Sequence, residues 1–163
     1  MVLRKLTLAL ALLAVPVVAA AGSAKDNVAA LERFYAEAVN QGNLELFDEL
    51  LAENFVEHEE LPGLPRTREG VKQWFAHMRT TFPDLKFEVE FMMADGDKVA
   101  AYVTISGTQA AEFLGVPSQG RAFRVKTVDI VRFEKGKAVE HWGVTDTGLM
   151  MQQLTGGPDA GGS

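Results

Sequence analysis

The hydrophobic period changes halfway along this chain, from about 3.6 residues to 2, and the change confines it to helices followed by a sheet. After Asp26, read as a helix cap, Val28, Leu31, Phe34, Tyr35, Ala38 and Val39 recur at intervals of three and four, and Gly42 stands where a helix would stop. Asn43 is placed to cap a second, shorter helix that turns Leu46, Phe47, Leu50 and Leu51 inward. A brief extended piece over residues 54–58 and the turn Leu61-Pro62-Gly63-Leu64-Pro65 lead to Thr67, the expected cap of a third helix. That helix buries Val71, Trp74, Phe75 and Met78. It ends at Phe82-Pro83-Asp84, because proline restricts the residue before it and has no N–H to donate.

From Leu85 onward the apolar residues alternate: Leu85, Phe87, Val89 and Phe91 are separated by Lys86, Glu88 and Glu90. The turns Asp95-Gly96-Asp97 and Lys135-Gly136-Lys137, with a longer connection over residues 109–119, divide the second half into four strands. The third strand breaks its own rhythm. Phe123 and Val125 set one parity, Val128 and Ile130 the other, and Val131 and Phe133 return to the first. A bulge near Thr127, or a strand lined on both faces, accounts for that, and sheets that curl around a cavity use such bulges. The expected fold is α+β: three N-terminal helices packed on one face of a curved antiparallel sheet that encloses a pocket.

Residues 1–24 read as a signal peptide. Arg4 and Lys5 precede an apolar run over residues 6–20, shorter than the roughly 20 residues a membrane span needs, and Ala-x-Ala-type cleavage sites end at Ala21 and Ala24. An uncleaved anchor is the alternative. Residues 25–155 then form one domain, and the Gly/Pro/Ser tail over residues 156–163 is expected to be disordered. Export to the periplasm or the medium suits a chain with no cysteine, and the same absence excludes thiolate chemistry and cysteine metal sites. Removing residues 1–24 leaves 14 basic residues against 22 acidic ones, a net charge of −8. No basic stripe remains for a phosphate backbone, so nucleic acid is excluded as a partner.

Several segments, taken in order, resemble one family. They are Phe82-Pro83-Asp84-Leu85, the loop Phe113-Leu114-Gly115-Val116-Pro117 leading to Gly120-Arg121, Asp129-Ile130-Val131-Arg132-Phe133, Gly136-Lys137, Glu140-x-Trp142-x-x-x-Asp146 and Gln153-Leu154. Over roughly residues 27–156 the chain looks like the SnoaL-like polyketide cyclases, or ester cyclases, of the nuclear transport factor 2-like superfamily. The resemblance implies a cone-shaped α+β barrel around a deep pocket, ring closure by intramolecular aldol condensation without metal or organic cofactor, and an aspartate as general acid/base. Because one fold serves many reactions and also plain binding modules, it speaks for the pocket more than for the chemistry.

Asp146 falls at the position matching that aspartate. It shares a strand parity with Glu140, Trp142 and Val144, so a face presenting Trp142 to the pocket presents Asp146 too; equally, Asp146 stands where it would cap the following helix. His58, among Glu57, Glu59 and Glu60, is read either as an acid/base assistant at the pocket mouth or as a solvated loop histidine. Neighbours on a strand point to opposite faces, so this run makes a poor metal cage, and no metal is expected. Asp129 interrupts a β-rich run, as a second pocket carboxylate or as half of an ion pair. His141 has the parity opposite to Trp142 and is left outside. Trp74 and Phe75, with Trp142, are expected to line the pocket for substrate. Two functions from different classes follow. One is a cofactor-independent cyclase or isomerase acting on a small apolar carbonyl compound. The other is an exported, non-catalytic module that binds a small ligand or pairs with another chain, through the open sheet face in the case of a homodimer.

Overall fold

The structure, a computed structural model, describes residues 22–157. The signal-peptide reading therefore falls almost wholly outside the described residues, as does most of the tail. The first helix, α1, runs Ala24–Arg33 and continues as a π-helical stretch, Phe34–Val39. Its cap is Ser23, whose hydroxyl accepts from the Asp26 N–H at 3.2 Å while the Asp26 carboxylate accepts from Ser23 N–H and Oγ. Asp26 thus completes a reciprocal cap three residues in, instead of being the cap itself. Leu31, Tyr35, Ala38 and Val39 are buried, as the spacing predicts. Arg79 closes the far end by donating to the carbonyls of Val39 and Asn40 at 2.9 and 3.1 Å.

Helix α2 is short, Leu46–Leu50; its cap position is Glu45, without a side-chain cap bond, so Asn43 does not play the expected role. Strand β1 (Leu51–Glu57) follows at once, and α3 (Arg68–Thr81) begins under the cap of Thr67, which accepts from the Gly70 N–H. Strands β2 (Lys86–Asp95), β3 (Lys98–Thr108), β4 (Ala122–Glu134) and β5 (Lys137–Thr145) form the antiparallel meander, and α4 (Thr147–Thr155) ends the described fold. The sheet order is β1-β5-β4-β3-β2. Because β1 pairs with β5 in parallel, the sheet is mixed and has five strands where four antiparallel ones were expected.

Two details of register decide what the sheet encloses. First, β4 pairs with β3 without interruption from Arg132 to Ala122, and every odd residue from Phe123 to Phe133 is buried. The expected bulge near Thr127 is absent. Val128 and Ile130 lie on the outer face, where they are 42% and 37% exposed, and the irregular rhythm reflects a strand that carries apolar side chains on both faces. Second, β5 does bulge against β4: Phe133 lies opposite Ala138 and Arg132 opposite Glu140, so Val139 is one residue in excess. Ala138 and Val139 are both buried, and beyond them the parity of β5 is reversed.

Candidate active site

The helices α1 and α3 and the inner face of the sheet close around a cavity of about 210 Å³, walled mainly by apolar side chains, among them Leu31, Phe34, Trp74, Phe75, Phe87 and Val131. Trp74 and Phe75 are therefore on the wall, where the sequence places them. The polar residues that reach the cavity converge from two faces. Odd parity on β4 brings in Thr127 and Asp129, and the bulge at Val139 brings His141 and Thr145 of β5 to the same side. On β1 and just beyond it, Glu57 and Glu59 share the parity of buried Phe55.

These side chains form one network. The Tyr35 hydroxyl donates to Asp129 Oδ2 at 2.6 Å, and Thr127 donates to Oδ1 at 2.9 Å. Thr145 donates in turn to Thr127 at 3.1 Å. His141 lies between two carboxylates: Nδ1 is 2.8 Å from both oxygens of Glu57, and Nε2 is 3.5 Å from Asp129 Oδ1. Burial alone would pull the imidazole down, but hydrogen bonding and charge from Asp129 and Glu57 outweigh it and push His141 up to about 10. It is an imidazolium at neutral pH. Burial first, and then the charge and hydrogen bond of Asp129, raise Tyr35 well above the usual phenol, so it stays a donor. Burial also raises Glu59, against the opposing charge of His141.

The residues singled out in the sequence divide. Asp129, Trp74 and Phe75 meet at the cavity. Asp146 is exposed; its carboxylate caps α4 by accepting from the Leu149 N–H at 2.9 Å, and it is not among the cavity residues. Trp142 points outward, where its ring stacks on His58 with centroids 4.7 Å apart, and His58 Nε2 lies 3.3 Å from Glu140. His58 and Trp142 are thus brought together, on the face away from the cavity. His141 does have the parity opposite to Trp142 and Asp146, but it is Trp142 and Asp146 that face away from the cavity, so the same alternation brings His141 in. Glu57 and Glu59 were also missed, although a signal existed: Phe55 and Leu61 share their parity, so both carboxylates follow Phe55 inward. Among the described residues, no group of three or more ligating side chains is arranged to hold a metal.

An α+β fold whose helices and curved sheet close around an apolar cavity holding a hydrogen-bonded set of ionisable side chains defines a class of small pocket proteins. The sequence profile of the SnoaL-like polyketide cyclases matches residues 29–154, and the chain belongs to that family, with its nuclear transport factor 2-like fold. No curated protein matches the chain. Among solved structures, TsrD from Streptomyces laurentii is 30% identical, with 80% of this chain and 95% of that one covered and a TM-score of 0.73. IdmH from Streptomyces antibioticus, described as "a putative polyketide cyclase", is 34% identical over 82% of this chain and 99% of its own, with a TM-score of 0.68. AclR from Streptomyces galilaeus, described as "a putative hydroxylase", is 28% identical over 83% and 100%, with a TM-score of 0.74. Two neighbours of comparable similarity thus carry the names of different reactions.

Proposed function

We propose that this polyketide cyclase-like protein moves a proton next to the carbonyl of a small, mostly apolar compound, as a cyclase or isomerase does, with Asp129 as the acid/base. The observation that carries this reading is a carboxylate 7% exposed in an apolar cavity, bound by the Tyr35 hydroxyl and faced by the His141 imidazolium. In the proposed step the carboxylate takes a proton from the carbon beside the carbonyl, and the electron pair moves onto the carbonyl oxygen. In a cyclase that enolate carbon attacks a second carbonyl of the same molecule, and the proton on Asp129 returns to the new alkoxide. A fixed positive charge on His141 favours the anionic intermediate without reorganisation, and Glu57 holds the ring in place. The acid/base role expected of Asp146 passes to Asp129, because only the latter reaches the cavity.

The test is α-proton exchange of 2-tetralone in D2O, followed by NMR. Exchange above the buffer rate that falls by about 100-fold or more in Asp129→Asn supports the reading. Exchange equal in the two proteins sinks it. One observation favours a plain binding module instead: both Asp129 oxygens already accept a hydrogen bond.

Two further parts of the proposal concern the chain's surroundings. Export with cleavage after Ala21 is supported by the first cap of the fold, since Ser23 would survive that cut and a cut after Ala24 would remove it. Mass spectrometry of the exported chain decides between them. A homodimer through the outer sheet face is supported by the apolar side chains left exposed there, Val144 at 76% and Met93 at 63%.

A further inference from the structure

The acid/base reading leaves two cavity carboxylates without a role, Glu59 and the more exposed Glu60. Glu59 follows β1 into the cavity, its backbone N–H donating to Glu57 Oε1 at 2.8 Å, and its carboxyl lies beside the Thr145 hydroxyl, whose influence on it opposes that of burial without outweighing it. Opposite it, β5 carries Gly143. A Cβ at Gly143 would overlap Glu59 Oε2 and would crowd Cε1 of His141 at 2.9 Å. Gly143 has no positive φ to explain it, so here the missing side chain serves as space: the carboxyl of Glu59 and the ring of His141 close on the spot that any larger residue would fill.

The charges argue for the protonation state. The titratable groups facing Glu59 are His141 on β5, Asp129 on β4, Glu57 on β1, the neighbouring Glu60 and the Tyr35 phenol on the π-helical stretch after α1. The single cation is already held by Glu57 and Asp129. A third ionised carboxylate in an apolar wall would have no unshared counter-charge, whereas a protonated one supplies an O–H donor.

We propose that Glu59 sits in the notch left by Gly143 as a neutral carboxylic acid, donating to the carbonyl oxygen of the ligand, so that the cavity selects uncharged carbonyl compounds over carboxylates. This rests on the reading of the cavity as a carbonyl site. Asp129 and Glu59 then divide the work: the first meets the C–H, the second the oxygen. The direction in which burial shifts Glu59 agrees with this division.

The experiment needs no turnover. Calorimetric titration at pH 7 compares 2-acetonaphthone with 2-naphthoate, which share one ring system and differ in charge. The wild-type protein is expected to bind the ketone at least about tenfold more tightly. Glu59→Gln keeps a neutral donor and is expected to hold ketone affinity within about threefold, while Glu59→Leu loses about tenfold. Gly143→Ala should weaken the ketone as Glu59→Leu does, and the carboxyl 13C resonance of Glu59 should titrate above an ordinary glutamate in the wild type. Naphthoate bound as tightly as the ketone, no ketone binding at millimolar concentration, or Glu59→Gln losing as much as Glu59→Leu overturns the proposal. If ketone selectivity holds but 2-tetralone exchange ignores Asp129→Asn, the catalytic reading fails and the Glu59 site stands.

Discussion

The inner and outer faces of β4 and β5 are made from alternate residues of the same two strands, yet they follow opposite rules. Inside, Thr127, Asp129, His141 and Thr145 are bonded to one another and to Tyr35 and Glu57, because an unpaired polar group in that cavity would lose its hydration without compensation. Outside, Arg132 pairs with Glu140, His58 stacks on Trp142, and Val128, Ile130 and Val144 stand exposed. Charged pairs at such a surface are screened and contribute little. The same residue types, a histidine and a carboxylate, thus occur on both faces: His141 with Glu57 within, His58 with Glu140 without. The inner histidine is pushed up to about 10 by the buried carboxylates on either side of it.

The severest way to break this contrast is to insert one alanine between Glu140 and His141. With Ala138 and Glu140 still opposite Phe133 and Arg132, the added residue would turn Trp142 inward and His141 outward, and bury the wrong set of side chains. We expect loss of the cooperative fold, read by thermal melting and by dispersion of the amide NMR spectrum; a native-like spectrum would mean that this register does not set the faces. Next in size is the contrast between the two aspartates. Asp129→Asn should lower 2-tetralone exchange by about 100-fold or more. Asp146→Ala should leave exchange within about twofold and cost about 1 kcal/mol as a lost helix cap, measured by urea unfolding.

The third prediction concerns pH. His141 is raised in the folded protein from 6.5 to about 10, so the folded state binds the extra proton between those values. Its contribution to stability is full below pH 6.5 and is lost as pH rises towards 10. Unfolding in urea across that window should show stability falling with pH, and His141→Gln should flatten the slope while lowering stability at pH 6 by about 3 kcal/mol, since two buried carboxylates lose their partner. An equal slope in both proteins would place the titration elsewhere. The smallest effect belongs to the outer face. Val144→Lys should change monomer stability by less than about 0.5 kcal/mol. If the outer face pairs two copies, the same change should shift sedimentation towards monomer.

Much of the fold was legible because its signals are local. The apolar stripe from Leu31 to Val39, the cap at Thr67 and the glycine turns at Gly96 and Gly136 each lie within a few residues of what they control. Even the reciprocal Ser23–Asp26 cap was misread by only three residues. The site was less legible. Asp129 could be seen as an aspartate where strands disfavour one, but whether it met a cation or a cavity depended on strands far away in sequence. Glu57 and His141 are 84 residues apart, and nothing near either announces the other.

The sequence by itself determined the order of helices and strands and the apolar character of the cavity, since each follows from spacing along one element. Only the tertiary structure decided that β1 joins β5 in parallel and that β5 spends one extra residue at Val139. The physical reason is that a strand's alternation states which residues share a face, while the face chosen depends on the register with its neighbour. One residue of slip exchanges Trp142 for His141, and with it a surface stack for the charged heart of the cavity.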